Sequence, residues 1–166
     1  MTLVVCAGTG TDVGKTWIGA RVLETVRAAG GGVAARKPVQ SFDPRSSEPT
    51  DADVLAGATG EPAESICPPH RWLPVAMAPP MAAQVLGRPS FTIAELVEEL
   101  RWPLPAPDVT WLEGVGGVRS PLADDGDTTD LCGAVQPDAV VLVADAGLGT
   151  INAVLLSVDA LGRWPV

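Results

Sequence analysis

The sequence is organised around nine residues near its start, Gly8-Thr9-Gly10-Thr11-Asp12-Val13-Gly14-Lys15-Thr16. They follow an apolar run at residues 3–7 and precede apolar side chains at helical spacing. In the order strand, glycine-rich turn and helix, a Gly-Lys-Thr sequence is typical of a loop that binds phosphate. Glycines let backbone N–H groups turn toward a phosphate, and the helix N-terminus adds the positive end of its dipole. We therefore interpret residues 8–16 as a phosphate loop; a chance glycine turn is the alternative.

Two side chains of the phosphate loop are candidates for direct contact with a nucleotide. Lys15 is expected to reach the terminal phosphates, and the Thr16 hydroxyl is expected to hold Mg²⁺. The usual loop has a glycine where Thr9 stands, and Gly8 lies one residue earlier, so this loop is a lengthened variant. The chain has only two lysines against nine arginines, and the second lysine, Lys37, ends the next predicted strand.

The composition favours one domain with a buried sheet. The chain has 166 residues, enough for a sizeable core, and 46% of them are hydrophobic, as expected of parallel strands covered on both faces. Its net charge is −9 and no basic patch is visible, which argues against nucleic acid as a partner. We find no apolar stretch that would span a membrane and no charged leader before the first strand. The three cysteines are far apart and odd in number, so we expect reduced thiols and a cytoplasmic protein.

Apolar runs alternate with segments of helical spacing along the chain. The predicted strands are residues 3–7, 33–37, 109–112 and 139–144. The predicted helices are residues 15–29, a short segment from Asp51 or Asp53 to Ala58, and residues 80–86, 92–100, 131–135 and 151–161. Residues 61–80 are rich in proline and are predicted to be irregular. This alternation predicts an α/β fold in which helices flank a parallel β-sheet.

The last three residues, 164–166, resemble the start of a further strand. We therefore expect residues 1–166 to form a single domain that is incomplete at its C-terminal end.

Several polar residues stand at the carboxyl ends of predicted strands, where sheets of this kind bind ligands. Glu113 ends the third strand and is expected to bind Mg²⁺ or its water; a solvated acid is the alternative. The turn at Gly116-Gly117 would let the backbone approach a ligand. Lys37 is expected to offset charge that develops in phosphoryl transfer, unless it is a plain surface charge. Ser41 would donate to a substrate or cap a turn.

Two further candidates lie at helix starts. Asp51 and Asp53 both stand where a helix is expected to begin, and the residues alone leave open which of them caps the helix and which binds metal. Gly149-Thr150 opens the last helix, whose free N–H groups would form an anion site, and Asn152 lies in its first turn. A plain helix cap is the alternative interpretation of that segment.

These motifs, in this order, resemble the dethiobiotin synthetase family of ATP-dependent ligases with a P-loop NTPase fold. The phosphate loop resembles the longer loop of that family, and Lys37-Pro38-Val39 with Ser41 resembles its lysine motif. Asp53 falls where the family has a Mg²⁺ carboxylate. The remaining matches are Glu113-Gly114-Val115-Gly116-Gly117, Ser120-Pro121-Leu122 and Leu148-Gly149-Thr150-Ile151-Asn152.

The resemblance implies a reaction and a set of site residues. The reaction closes the ureido ring of dethiobiotin from 7,8-diaminononanoate and CO₂, with ATP and Mg²⁺, through a carbamate and a carbamic–phosphoric anhydride. The implied catalytic residues are Lys15 and Lys37, and the implied metal ligands are Thr16, Asp53 and Glu113. The implied ATP-binding residues are Thr11, Asp12, Val13, Gly14, Lys15, Thr16, Trp17, Asp53, Glu113, Gly114, Val115 and Gly116. The implied substrate-binding residues are Ser41, Gly117, Gly149, Thr150, Ile151 and Asn152, the last four on a neighbouring subunit of a homodimer.

The sequence also departs from the family pattern, and other functions stay open. Phe42 stands where a glycine or another small residue is expected, and Pro80 replaces a histidine. The family continues past residue 166 with a strand, an asparagine that recognises the base and a tyrosine that contacts substrate. One alternative is a partitioning-type ATPase, although these usually carry a lysine where Gly10 stands. A related corrinoid amide ligase and a non-catalytic paralogue are the others.

Overall fold

The computed structural model describes residues 1–162 and 164–166 of the chain. The strands are β1 (Thr2–Gly8), β2 (Val33–Arg36), β3 (Gln40–Ser41), β4 (Trp72–Leu73), β5 (Val109–Glu113) and β6 (Ala139–Val143). The helices are α1 (Lys15–Ala28), α2 (Asp51–Thr59), α3 (Ala63–Ile66), α4 (Pro79–Val85), α5 (Ile93–Glu98), α6 (Thr128–Val135) and α7 (Thr150–Leu161). A 3₁₀ turn at Pro69–Arg71 precedes β4.

The central sheet is parallel, as the alternation of apolar runs and helices predicts. Its strand order is β2-β5-β1-β6, and every neighbouring pair is parallel. Val5 of β1 lies opposite Leu112 on one side and Val140 on the other, so β1 pairs with a neighbouring strand along both of its edges. The carboxyl ends of β1, β2 and β5 therefore meet at one edge of the sheet.

Helices cover both faces of the sheet, and successive strand residues supply the two cores. On one face, Val5, Leu112 and Val140 join a cluster of buried side chains from α4, α5 and α6. On the other face, Cys6 and Trp111 pack with buried side chains of α1, α2 and α3. Neighbouring residues of a strand point to opposite faces, so an apolar run with little polar interruption can serve both cores at once.

Close packing of α1 on the sheet places the phosphate loop at the sheet edge. Gly19 of α1 lies against the indole of Trp111, and a Cβ at residue 19 would be 2.7 Å from Nε1 of that ring. A larger residue would push the helix away from β5. Since α1 begins at Lys15, within the phosphate-loop sequence, this contact also restrains the distance between the loop and the end of β5.

The structure differs from the prediction between residues 61 and 80. This segment is not irregular throughout, since it contains α3, the 3₁₀ turn and β4. β4 pairs in parallel with β3, and the backbone N–H of Lys37 donates to the carbonyl of Ile66 at 2.7 Å. The paired strands are only two residues long and lie about thirty residues apart in the chain. No local sequence pattern therefore predicts them as strands.

The predicted strand at residues 164–166 is not a strand in the structure, although it runs beside β6. The carbonyl of Pro165 accepts a hydrogen bond from the backbone N–H of Val140 at 2.8 Å. The three cysteines are unpaired and buried, as expected, and burial raises the pKa of both Cys67 and Cys132 to about 12. Among the described residues, no helix is both long and apolar enough to traverse a bilayer.

Candidate active site

The carboxyl edge of the sheet opens into a cavity of about 820 Å³. The cavity wall includes residues from the phosphate loop, from the segment after β2, from the start of α2 and from the turn after β5. Predicted site residues in this wall are Thr11, Asp12, Gly14, Lys15, Thr16, Trp17, Lys37, Ser41, Val115 and Gly116. The fold therefore brings together motifs that lie about a hundred residues apart in the sequence.

The phosphate loop wraps around the side chain of its own lysine. Lys15 Nζ donates to the carbonyl of Gly10 and to the carbonyl of Gly116, both at 2.9 Å. The side chain is buried, and burial together with the like charge of Lys37 lowers the pKa of Lys15. No side chain in the described part of the chain caps the first turn of α1, so its N–H groups are available to an anion in the cavity.

Four side chains form a compact charged cluster at the base of the cavity, which we call the carboxylate cluster: Thr16, Lys37, Asp51 and Glu113. Lys37 Nζ lies 2.6 Å from Asp51 Oδ2 and 2.6 Å from Glu113 Oε1. Thr16 Oγ1 lies 2.9 Å from Asp51 Oδ1 and 2.8 Å from Glu113 Oε1. Lys37 and Glu113 are almost completely buried, whereas 42% of the Asp51 side chain is exposed.

Contacts within the cluster keep Lys37 and Asp51 charged. Burial alone would lower the pKa of Lys37, but the charges and hydrogen bonds of Glu113 and Asp51 together raise it above its ordinary value. Burial would likewise raise the pKa of Asp51, but the charge of Lys37 and hydrogen bonds from Lys37 and Thr16 lower it. Lys37 is thus an ammonium and Asp51 a carboxylate at neutral pH.

The oxygens of the cluster fit a hard divalent cation. The hydroxyl of Thr16 carries one hydrogen but contacts two carboxylate oxygens, so only one of the two contacts is a hydrogen bond from Thr16. Glu113 Oε2 is buried and has no hydrogen-bond partner among the described residues. Within the described part of the chain, no three His, Cys, Asp or Glu residues are grouped to hold a metal. Two carboxylates and a hydroxyl suit Mg²⁺, which normally completes its shell with water and phosphate oxygens.

The structure places Asp51, and not Asp53, in this cluster. Asp53 Oδ2 accepts hydrogen bonds from the backbone N–H and the hydroxyl of Thr50, at 2.9 and 2.7 Å, and so completes a capping box at the start of α2. Two residues along a helix correspond to a rotation of about 200°, so the two carboxylates point away from each other. The structure therefore brings Asp51, and not Asp53, together with Thr16 and Glu113, the two other residues expected to hold Mg²⁺.

The glycine turn after β5 lies against the phosphate loop. Gly116 has a φ of +60°, a conformation that favours glycine, and its carbonyl is one of the two acceptors of Lys15. A Cβ on Gly117 would lie 3.2 Å from the carbonyl of Thr9, and the Gly117 N–H donates to Ser120 Oγ at 2.9 Å. The turn thus forms one side of the pocket around Lys15.

Of the remaining predicted site residues, some line the cavity and others do not. Ser41 lines the cavity, but its hydroxyl donates to the carbonyl of Met77 at 2.6 Å. Val13 packs against the core formed by α1, α2 and α3 and does not line the cavity. Residues 149–152 lie at the end of β6 and are also absent from the cavity wall of this chain. Gln40, which the sequence analysis does not single out, does line it.

Comparison with known proteins agrees with this architecture. A family model described as an AAA domain matches residues 2–164. The ATP-dependent dethiobiotin synthetase BioD of Anaeromyxobacter dehalogenans is 39% identical over 158 residues, which cover 94% of this chain and 69% of that protein. The proteins of the same name from Caulobacter vibrioides and Phenylobacterium zucineum are each 38% identical, and the matches cover 97% of this chain and 74% and 70% of those proteins.

These matches cover 94% and 97% of this chain, so they include the segments that meet at the cavity. This chain belongs to the dethiobiotin synthetase family.

Proposed function

We propose that this chain is an ATP- and Mg²⁺-dependent cyclo-ligase that forms the ureido ring of dethiobiotin from 7,8-diaminononanoate and CO₂. The observation that carries the proposal is the carboxylate cluster, which places Lys37 between two carboxylates beside the phosphate loop. Relatives that are named as ATP-dependent dethiobiotin synthetases support the same reaction.

The proposed reaction has three steps. One amine of the diamine adds to CO₂ and loses a proton, which gives a carbamate. A carbamate oxygen attacks the γ-phosphorus of ATP, ADP leaves, and a carbamic–phosphoric anhydride forms. The second amine attacks the carbonyl carbon and loses a proton, phosphate leaves, and the cyclic urea closes. Tethering both amines in one substrate favours this closure, since intramolecular reactions gain up to about 7–11 kcal/mol in ideal cases.

The two lysines are proposed to stabilise the negative charges of this sequence. Lys15 faces the loop that would hold the β- and γ-phosphates, and Lys37 would contact the carbamate and the transferring phosphoryl group. Ser41 and Gly117 lie beside the cavity and would contact the substrate. No general base from histidine is needed, because each amine can lose its proton to solvent or phosphate.

Thr16, Asp51 and Glu113 are proposed to hold Mg²⁺, which when bound would offset the charge of the nucleotide phosphates. The unpartnered Oε2 of Glu113 and the shared hydroxyl contacts of Thr16 support this assignment. A cytoplasmic location stays a prediction of the sequence.

We further propose that the active unit is a homodimer. The apolar face of α7, as we call it, consists of Leu148 just before the helix and of Ile151, Leu155 and Val158 within it. These residues recur at spacings of three, four and three residues and are all exposed. The only described residue of α7 that is buried is Leu161. A second copy would cover this face, and residues 149–152 of that copy would then bind the substrate carboxylate at the free N–H groups of α7.

The direct test is a steady-state assay with 7,8-diaminononanoate, bicarbonate and MgATP. We expect one ADP and one phosphate for each molecule of dethiobiotin, identified by mass spectrometry. ATP hydrolysis without a cyclic urea product, or stimulated only by a protein partner, would contradict the ligase function and favour a nucleotide switch.

A further inference from the structure

Gln40 is a buried polar residue beside the carboxylate cluster, and none of the roles proposed above uses it. It is the first residue of β3 and follows Lys37 by three positions. Only 2% of its surface is exposed, and it contributes to the wall of the cavity. Burial of an amide side chain costs free energy unless its hydrogen bonds are made. A glutamine buried at this position therefore indicates a specific contact.

One half of the Gln40 amide holds the start of α2. Its Oε1 accepts a hydrogen bond at 3.1 Å from the backbone N–H of Ala52, the second residue of the helix. Ala52 follows Asp51 directly. The N–H groups of a first helical turn have no partner within the helix, so this side chain supplies one from outside.

The same short segment therefore holds α2 at two points. Gln40 binds the backbone at Ala52, and Lys37 binds the carboxylate of Asp51 at 2.6 Å. The capping box of Thr50 and Asp53 marks where the helix begins. The contact of Gln40 with Ala52 restrains how the helix is rotated, and the rotation decides which acid faces the cluster. With the helix turned by two residues, Asp53 would face Thr16 and Asp51 would not.

The other half of the amide argues against a role in stability alone. Gln40 Nε2 is buried and has no hydrogen-bond partner among the described residues. A buried donor without a partner is unfavourable, and a methionine of similar length would avoid it. Replacing Gln40 by methionine would exchange one unpaired N–H group, on Gln40, for another, on Ala52, so the overall stability should change little.

We propose that Gln40 is a positioning residue that holds the start of α2 so that the Asp51 carboxylate meets Thr16 and Glu113. This inference rests on the proposed role of Asp51 as a metal ligand. Groups that orient a metal ligand typically account for a tenfold or greater share of metal affinity.

The test compares binding of a non-hydrolysable imido analogue of ATP by calorimetry, with Mn²⁺ and without any divalent cation. The dissociation constant measured without a divalent cation, divided by that measured with Mn²⁺, gives the contribution of the metal to binding. Gln40→Met should reduce this ratio about tenfold or more and leave the metal-free affinity unchanged. Its urea unfolding midpoint should stay close to that of the wild type.

Two further variants separate positioning from a general structural effect. Gln40→Glu keeps an oxygen of the same reach for the Ala52 N–H and adds negative charge, so the ratio should not fall. Thr59→Val removes a buried side-chain hydrogen bond at the other end of α2, between Thr59 Oγ1 and the carbonyl of Leu55, and should leave the ratio unchanged.

The outcomes are distinguishable. An unchanged ratio in Gln40→Met, an equal loss in Gln40→Glu or in Thr59→Val, or a Gln40→Met chain that fails to fold would each overturn the positioning role. A wild-type chain that binds the analogue equally well with and without Mn²⁺ would instead contradict the proposed metal site.

Discussion

Lys37 is the side chain on which the proposed chemistry depends most. It is buried between Asp51 and Glu113, and its charge is maintained by both of them. Lys37→Gln keeps an N–H donor for Glu113 but removes the charge. Since removal of one aimed electrostatic contact costs about 10²–10³ in rate, dethiobiotin formation should fall by about that factor while ATP affinity stays nearly unchanged.

This prediction is checked by turnover assays together with calorimetric titration of ATP. A circular dichroism spectrum and a urea unfolding curve serve as controls, because the variant leaves a buried carboxylate with a weaker partner. Normal turnover in a folded Lys37→Gln chain would remove Lys37 from the mechanism.

Asp51 and Asp53 provide a matched pair of substitutions two residues apart. Asp51→Asn removes a carboxylate from the cluster, so the Mg²⁺ concentration needed for half-maximal activity should rise about tenfold or more. Asp53→Asn weakens only the capping box, so it should cost about 1 kcal/mol of stability and leave the Mg²⁺ dependence unchanged. A shift with Asp53→Asn and none with Asp51→Asn would reverse our assignment.

The choice between these two acids shows where prediction from sequence ends. Both aspartates are good residues for the first turn of a helix, and the local sequence allows the helix to begin at either. The capping box of Thr50 and Asp53 marks a helix that begins at Asp51. Which face of α2 then meets Thr16 and Glu113 depends on contacts from distant residues, including the hydrogen bond of Gln40 to Ala52. The Thr50-x-x-Asp53 spacing is a local signal for the helix start, but no pattern within residues 50–60 shows which carboxylate faces Thr16 and Glu113.

The helices and strands differ in how far the sequence determines them. The four strands of the central sheet are apolar runs between turns, and their predicted positions are confirmed to within one or two residues. β3 and β4 are two residues each and exist only through mutual pairing, so they could not be predicted. The spacing of apolar residues over 151–161 predicts α7 as a helix, but the structure is needed to show that its apolar face is left exposed by the neighbouring elements.

The apolar face of α7 yields a prediction about assembly. Leu155→Glu places a charge near the centre of this face, so the proposed dimer should dissociate to monomers and activity should fall with it. Val85→Glu, at an exposed apolar residue of α4, is the matched control and should leave the assembly unchanged. Light scattering coupled to size exclusion measures both. A wild-type monomer with full activity would rule out the dimer.

For the molecule as a whole, the cluster makes folding stability depend on pH. The pKa of Asp51 is lowered in the folded chain, so its contribution to the unfolding free energy is present above its unfolded value of about 3.9 and is lost as the pH falls. The unfolding free energy of the wild type should therefore decrease more between about pH 5 and about pH 3 than that of Asp51→Asn.

Urea unfolding of the two chains at several pH values checks this. The other carboxylates titrate in both chains, so only the difference between the curves is assigned to Asp51. Parallel curves over this range would mean that Lys37 does not interact with Asp51 in solution as it does in the structure.

Lys15 joins two segments that are about a hundred residues apart, since one ammonium is shared by the carbonyls of Gly10 and Gly116. A phosphate that attracts this ammonium competes with both carbonyls. Nucleotide binding at the phosphate loop should therefore change the hydrogen-exchange rates of the Gly117 and Val118 amides, in the turn after β5. In this protein the lysine of the phosphate loop also ties together the two walls of the pocket. We therefore expect a ligand at the loop to affect the turn after β5 through this one ammonium.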